Sequence, residues 1–223
     1  MLQLNFSGDH NLGMYAKATD KILLIGNSAA ENLIGKINEK LKTLAIKTTV
    51  ANSDLVGIFC CLNSNGLVIP QIATDNELQK FADFTKEFGM NFSVLKTKFT
   101  AVGNLVLCNN KGAIVSENFS QKNKKIIANC LGVETEYSSA AGMSTVGSAG
   151  IATNKGCLLH RDAREEEIKA AEEILKVNVD IGTANFGSPF VGCCLIANSY
   201  DLISGESTTG PEIVRVQEAL GFL

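Results

Sequence analysis

The stretch VGNLVLCNNKGAIV at residues 102–115 contains the pattern that decides the fold. An apolar residue and a glycine, Val102 and Gly103, open it, and a short apolar run follows. Asn109 and Gly112 then interrupt the apolar residues, and a second apolar run covers residues 113–115. Two short apolar runs separated by Asn and Gly are typical of a β-hairpin.

The apolar–glycine pair recurs along the whole chain, at Leu12-Gly13, Val56-Gly57, Val102-Gly103, Val146-Gly147 and Val191-Gly192. Subtracting successive glycine positions gives spacings of 44, 46, 44 and 45 residues. Two further columns keep the same spacing, namely Thr19, Asn63, Asn109, Thr153 and Asn198, and then Gly66, Gly112, Gly156 and Asp201. Self-similarity at a fixed period of this length indicates five copies of one structural unit.

A helix is predicted after each hairpin. Ser or Thr followed three residues later by Glu is the signature of a capping box. It occurs at Ser28 and Glu31, at Thr74 and Glu77, and at Thr209 and Glu212. Glycines that suit left-handed helix ends follow three of the helices, at Gly89, Gly132 and Gly221. We expect a third strand to close each of the first four units, at residues 46–50, 91–95, 133–137 and 177–181.

The fifth unit has no closing strand of its own, because the sequence stops after its helix. Leu2, Leu4 and Phe6 alternate with polar residues and supply a spare strand at the other end. We therefore predict that this strand pairs beside the last unit and closes a ring, which removes exposed sheet edges. The expected fold is a single α/β domain over residues 1–223, a five-bladed propeller with helices outside. Its repeats would cover residues 12–55, 56–101, 102–145, 146–190, and 191–223 together with 1–11.

One departure from the repeat concerns the hairpin turns. The first unit has Asp20, Lys21 and Ile22 where the later units show a longer polar turn with glycine, and Asp201 replaces that glycine in the fifth unit. These departures concern the local shape of the two turns and not the fold.

The composition excludes several classes of protein. Apolar residues make up 45% of the 223 residues and charged residues 19%, which disfavours disorder. The formal net charge of −3 disfavours a general RNA-binding module, since such proteins are usually basic. The start shows no signal peptide and no apolar run is long enough to span a bilayer. Seven cysteines without an export signal predict free thiols in the reducing cytoplasm.

Four segments near the end carry a resemblance to a known family: GTANFGSPFVG at 182–192, IAN at 196–198, GESTTGPE at 205–212 and EALGF at 218–222. Residues 57–77 and 103–112 match further stretches of the same family. Over essentially its whole length the chain resembles the translation initiation factor six family, the ribosome anti-association factors of archaea and eukaryotes. Its end at the fifth helix is similar to the archaeal form.

The resemblance implies a pentein fold and a function that involves no catalysis. The protein would bind the large ribosomal subunit on its intersubunit face and sterically prevent joining with the small subunit. The main contact would be large-subunit ribosomal protein fourteen, near the sarcin–ricin loop of the large rRNA. A role in large-subunit maturation is also implied. We expect a cytoplasmic monomer that needs no cofactor, holds no metal and contacts no membrane.

Candidate ribosome-binding residues come from two places in the sequence. Asn104 follows the repeated glycine, where the other units have Met14, Ile58, Ser148 and Cys193. An amide in this mostly apolar or small column is either exposed for recognition or an ordinary surface residue. The densest basic run consists of Lys122, Lys124 and Lys125. It is either the solvated face of a helix or a contact with rRNA or a ribosomal protein.

Three alternatives remain open at this level. A guanidino-modifying pentein enzyme would need a Cys, a His and two carboxylates together, and the only histidines are His10 and His160. The vicinal pairs Cys60-Cys61 and Cys193-Cys194 could suggest zinc, but they fall within expected strands without ligand spacing and indicate buried apolar thiols. The Asn/Thr column that begins at Thr19 could be a ligand ring, or could bond its own turns.

Overall fold

The structure, a computed structural model, describes residues 2–223. Its strands are β1 (Leu2–Leu4), β2 (Ala16–Ala18), β3 (Ile22–Gly26), β4 (Leu44–Thr48), β5 (Cys61–Leu62), β6 (Gly66–Pro70), β7 (Asn91–Leu95), β8 (Val106–Cys108), β9 (Gly112–Val115), β10 (Glu134–Tyr137), β11 (Gly150–Ala152), β12 (Gly156–His160), β13 (Asn178–Gly182), β14 (Leu195–Ala197) and β15 (Leu202–Gly205). Five long helices are α2 (Glu31–Leu41), α4 (Asp75–Glu87), α6 (Gln121–Leu131), α8 (Glu165–Leu175) and α10 (Gly210–Ala219). Five one-turn helices are α1 (Leu12–Tyr15), α3 (Val56–Phe59), α5 (Val102–Leu105), α7 (Val146–Ala149) and α9 (Val191–Cys194).

The strands form five separate three-stranded sheets, which confirms the predicted fivefold α/β architecture of the pentein type. In each of the first four units the two hairpin strands pair antiparallel, and the third strand pairs parallel to the middle one, as β4 does with β3. A parallel partner requires a crossover connection, and the long helix of the unit supplies it. Each unit is therefore a hairpin, a helix and a closing strand, as the repeat predicts.

The N-terminal strand completes the fifth sheet. β1 pairs parallel to β15 with Leu2 opposite Ile203 and Leu4 opposite Gly205. The N–H of Glu206 continues this ladder with a 3.0 Å hydrogen bond to the carbonyl of Leu4. The prediction that the N-terminal strand closes the ring is confirmed.

The hydrophobic core consists of five clusters, each shared by two neighbouring units. Ile22 and Leu24 of the first unit, for example, pack with Leu67, Ile69 and Phe81 of the second. The cluster between the fifth and first units also contains Leu4 and Phe6 from the N-terminal segment. Because each sheet buries both of its faces in this way, the middle strands are apolar throughout rather than alternating.

Three local expectations are wrong. The helix α2 begins at Glu31 after Ala30 and has no side-chain cap, so Ser28 and Glu31 form no capping box. The first closing strand covers Leu44–Thr48 rather than residues 46–50, with smaller shifts in the third and fourth units. The repeated glycine opens a single helical turn before the strand begins, so Cys193 and Cys194 lie in α9 rather than in a strand. A four-residue apolar run fits either conformation, and only packing decides between them.

The five hairpin turns share one backbone hydrogen bond despite the departures at Asp20 and Asp201. The same backbone hydrogen bond closes all five turns, from Thr19 to Ile22 at 2.9 Å in the first unit and from Asn198 to Asp201 at 3.1 Å in the fifth. The glycine found there in the other units, such as Gly66, does not have a positive φ. Its missing side chain instead makes room for the carbonyl of Cys130 in the next unit. Glycine at this position therefore serves packing, and the turn forms without it.

Candidate functional site

The five one-turn helices meet around the axis of the ring through their glycines. A Cβ atom on Gly57 would collide with the carbonyl oxygen of Gly13. The same relation links Gly103 to Gly57, Gly147 to Gly103, Gly192 to Gly147 and Gly13 to Gly192. The chain of contacts returns to its starting point, so these glycines are needed for close backbone approach, not for positive φ.

The residue after each glycine lies in the same one-turn helix, at the end of the ring where these helices meet. We call Met14, Ile58, Asn104, Ser148 and Cys193 the glycine-ring face. None of the five is charged, and all but Ser148 are partly exposed. Ser148 is 7% exposed, and its hydroxyl donates a 2.9 Å hydrogen bond to the carbonyl of Thr145. Within residues 2–223 the Asn104 side chain has no hydrogen-bond partner, so its amide is available to a ligand.

The basic run lies away from the axis, in the first turn and a half of α6. Lys124 is occupied within the unit, because its ammonium pairs with Glu136 at 2.8 Å and lies 4.6 Å from the centre of the Tyr137 ring. Lys122 and Lys125 are exposed. The structure therefore brings the glycine-ring residues together but leaves the lysines in the outer helix layer, and only two of them face solvent.

Three glutamates fix the tight turns that precede three of the one-turn helices; Glu77 and Glu167 are buried and Glu212 is partly exposed. The carboxylate of Glu77 accepts hydrogen bonds from the Ala51 and Asn52 amides at 2.8 and 2.9 Å. It also accepts from the Thr49 hydroxyl at 2.5 Å and from the amide of the helix cap Thr74 at 2.8 Å. Ala51 and Asn52 have φ of +51° and +60°, a costly conformation for residues with a side chain. The glutamate thus offsets local backbone strain while it caps α4.

Glu167 and Glu212 repeat this arrangement in the fourth and fifth units. Glu167 binds the Ala141 and Gly142 amides at 2.9 and 2.8 Å. Burial by itself raises the pKa of Glu77 and Glu167, but the surrounding hydrogen-bond donors outweigh it and lower each pKa to about 2. The pKa of Glu212 is lowered by the same balance. All three carboxylates are therefore charged in the folded protein at neutral pH.

The turn before α9 exposes an aromatic residue that the sequence did not single out. Phe186 is 82% exposed and has φ of +61°. Its amide donates to Glu212 at 3.2 Å, and that of Gly187 donates at 2.7 Å. A bulky residue in the left-handed region is an outlier, and the hydrogen bonds to Glu212 hold the turn that imposes it. The bridge between Ala184 and Ser188 encloses one residue more than the corresponding bridges in the other units. This extra residue is the sequence signal that could have drawn attention to the turn.

The Asn/Thr column lies at the opposite end of the ring, in the hairpin turns. The side-chain oxygen of Asn63 accepts from the Asn65 and Gly66 amides of its own turn at 2.9 and 3.0 Å. Its NH₂ group donates to the carbonyls of Asn109 and Leu131 in the next unit at 3.0 and 2.9 Å. These side chains are used within the fold, which supports the structural interpretation over a ligand ring.

Between the two ends lies a narrow central channel formed by the inner strands. It contains a cavity of about 50 Å³ whose wall includes Lys17, Cys61 and Cys108. The Sγ atoms of the two cysteines are 3.7 Å apart. Neither histidine lines this cavity; His160 is 7% exposed at the end of β12 and accepts a 3.1 Å hydrogen bond from the Asp162 amide.

Residues 2–223 offer neither a metal centre nor a membrane-spanning helix. No group of three or more His, Cys, Asp or Glu side chains is arranged to hold a metal ion. In the same range, no helix combines the length and the apolar character needed to cross a membrane.

Comparison with known proteins agrees with this architecture. The model of the eIF-6 family matches residues 1–219. The chain belongs to the eIF-6 family. It is 41% identical to translation initiation factor 6 of Pyrococcus abyssi over 223 residues, which is 99% of this chain and 98% of the relative. The corresponding protein of Pyrococcus furiosus is 43% identical over the same shares. That of Methanococcus vannielii is 40% identical over 100% of this chain and 99% of its own.

Membership of the eIF-6 family confirms the resemblance found in the sequence and supports a role as a translation factor. The name of the family describes a translation factor rather than an enzyme. The relatives above are archaeal and of nearly the same length, so the comparison covers the five units and the closing strand together.

Proposed function

We propose that this protein is a ribosome anti-association factor that binds the large ribosomal subunit and prevents it from joining the small subunit. Its mechanism is exclusion: the protein occupies part of the intersubunit face and leaves no room for the partner. Such a mechanism needs affinity and bulk, and no reactive groups. A role in large-subunit maturation is compatible with the same binding site.

The observation that carries the proposal is the closed ring of five units in a chain of the eIF-6 family. Backbone contacts link the repeated glycines from Gly13 to Gly192, and a further contact joins Gly192 to Gly13, so the ring is closed. A preformed ring loses little conformational entropy when it docks, so more of its interaction energy appears as affinity. The ring is also much wider than a single loop or helix, as steric exclusion requires.

The glycine-ring face is the part of the surface best suited to docking on a protein. It combines Met14, Ile58 and the unpaired amide of Asn104 in a patch without charge. Uncharged centres of this kind are characteristic of protein–protein interfaces, in which charged residues are depleted at the core. We propose that this face contacts large-subunit ribosomal protein fourteen, near the sarcin–ricin loop. Ser148 would contribute through its backbone and its shape, since its hydroxyl is already bonded.

Lys122 and Lys125 are proposed as a peripheral contact with rRNA. Both lie on the outer helix layer and have no carboxylate partner in the part of the chain that the structure describes. Exposed lysines attract phosphate at long range and mainly affect the rate of association. Lys124 would contribute less, because Glu136 neutralises it.

Sucrose-gradient sedimentation with purified archaeal subunits tests the binding step. We expect the protein to migrate with large subunits at one copy per subunit and to remain at the top of a gradient that contains only small subunits. Equal migration with both subunits, or with neither, would contradict the proposal. Bovine serum albumin at the same concentration controls for trapping in the gradient.

A further inference from the structure

Two thiols from different units meet inside the central channel. Cys61 belongs to β5 in the second unit and Cys108 to β8 in the third, and their Sγ atoms lie 3.7 Å apart. The chain contains seven free cysteines, and this is the one thiol–thiol contact in the described residues 2–223. The contact is not required by the repeat, since the two cysteines occupy different columns: Cys61 is four residues beyond its glycine and Cys108 five.

The surroundings of the pair make Cys108 the more reactive member. The hydrogen bond from Cys61 lowers the pKa of the Cys108 thiol, burial opposes this, and the nearby Lys17 ammonium lowers it further. The hydrogen bond to Cys108 and burial raise the pKa of Cys61. Lys17 lines the same cavity and has no carboxylate within ion-pair distance among residues 2–223. A thiolate formed on Cys108 would therefore have Cys61 as a hydrogen-bond donor and the positive charge of Lys17 in the wall of the same cavity.

Access to the pair is limited to small molecules. Cys108 lines the channel cavity of about 50 Å³ and also a second cavity of about 30 Å³ at the end formed by the hairpin turns. Cys108 is partly exposed, whereas Cys61 is only 3% exposed. Volumes of this size hold one or a few water-sized molecules. Hydrogen peroxide fits this description, and a peptide disulfide such as oxidised glutathione does not.

We propose that Cys108 and Cys61 form a peroxide-reactive thiol pair that closes to a disulfide between the second and third units. The Sγ of Cys108 attacks one oxygen of hydrogen peroxide, the O–O bond breaks, and hydroxide leaves to become water with a proton from the solvent. Cys108 is then a sulfenic acid. The Sγ of Cys61 attacks the Cys108 sulfur, the S–O bond breaks, and the second oxygen leaves as water with the Cys61 proton. Two thiols lose two electrons, and peroxide is reduced to two waters.

This chemistry is independent of the proposed docking surface, because neither cysteine lies on the glycine-ring face. The disulfide would enclose the chain between β5 and β8 and tie two innermost strands together. A covalent loop of this length restricts the unfolded chain, and we expect Tm to rise by roughly 5–10 °C on oxidation.

The test is oxidation of the folded protein with a small excess of hydrogen peroxide, followed by alkylation in denaturant and peptide mass spectrometry. We expect a Cys61–Cys108 disulfide to form before any other cysteine changes. In Cys61→Ser, dimedone should trap a sulfenic acid at Cys108. In Lys17→Met, disulfide formation should slow several-fold. Cys157→Ser is the matched control, since this buried thiol lies in the fourth unit and its loss should change nothing.

The proposal is overturned if the wild-type protein oxidises first at Cys193, the other partly exposed cysteine, or forms no intramolecular disulfide. It is also overturned if Cys108→Ser consumes peroxide at the wild-type rate. The order in which the wild-type cysteines oxidise is read from the wild-type protein alone. The proposal can therefore be tested even if one of the variants fails to fold. Oxidised glutathione serves as the bulky comparison and should leave the folded protein unchanged.

Discussion

The side-chain amide of Asn198 donates a 2.8 Å hydrogen bond to the backbone carbonyl of Leu41, across 157 residues of sequence. It also donates to the carbonyl of Thr19 at 3.0 Å. Asn63 makes the equivalent pair of bonds between the second and third units. The contact between the fifth and first units, which closes the ring, therefore uses the same hydrogen bonds as the contact between the second and third units. A closed ring of repeats requires this equivalence.

Replacing Asn198 by Ala should destabilise the protein by about 2–4 kcal/mol, because two buried carbonyls lose their donor. Urea unfolding followed by circular dichroism measures the change. Asn109→Ala is the matched control, because Asn109 donates to the carbonyls of Thr153 and Leu175 in the same way, and it should cost the same to within about 1 kcal/mol. A much smaller cost at Asn198 than at Asn109 would mean that the ring opens between the fifth and first units in solution.

Replacing Gly57 by Ala should cost more than about 3 kcal/mol or prevent folding. The added Cβ would overlap the Gly13 carbonyl oxygen, and backbone on both sides leaves little room to move. Gly35→Ala is the control, since Gly35 lies in α2 with no atom near the added Cβ. That change should stabilise by about 0.5–1 kcal/mol. Thermal unfolding compares the two, and a tolerated Gly57→Ala would contradict the contact ring.

Stability should fall as the pH drops from about 4.5 towards 2. The pKa of Glu77 and of Glu167 is about 2 in the folded protein, below the usual value of 4.5. A carboxyl group with a lowered folded pKa stabilises above its unfolded pKa and loses that contribution as acid protonates it. Each group contributes about 2 kcal/mol at neutral pH.

Glu77→Gln should remove about that much stability at pH 7 and flatten the fall below pH 4.5. Urea titrations at a series of pH values measure both effects. Glu87→Gln, at the exposed end of the same helix, should leave the curve unchanged. An equally steep fall below pH 4.5 in Glu77→Gln would mean that other groups control the acid sensitivity.

Asn104→Ala should weaken binding to large subunits about 5- to 50-fold without loss of stability, because an exposed amide at an interface contributes to binding alone. Phe186→Ser should weaken binding by a similar factor if the exposed ring is buried on docking. Co-sedimentation over a range of subunit concentrations gives the affinities. Glu173→Gln, exposed on α8, serves as the control, and binding by Asn104→Ala equal to that of the wild type would exclude the glycine-ring face.

The sequence predicts the repeat well because its constraints are local and recur five times. The spacing from Gly13 to Gly192 and the alternation of Leu2 and Leu4 give the number of units and their closure. The one-turn helices were missed because four apolar residues fit a strand or a helix equally well. Ser28 was misleading because a capping pattern also arises by chance, here two residues before the actual cap position at Ala30.

The site is less accessible to sequence analysis than the fold. Asn104 stands out because aligning the five repeats places it beside mostly apolar or small residues. The exposure of Phe186 depends instead on one extra turn residue and on the hydrogen bonds to Glu212. The contact between Cys61 and Cys108 joins different columns of different units. Only the curvature of the ring sets the distance between them, so no spacing rule could have found it.

The joining reaction tests the central claim most directly. Purified large and small subunits are mixed under conditions that favour association, with increasing amounts of the protein, and joined ribosomes are measured by gradient or light scattering. The account predicts that joined ribosomes fall towards zero as the protein reaches one copy per large subunit, with the protein on the separated large subunits. Full joining at saturating protein, or joined ribosomes that carry the protein, would contradict it.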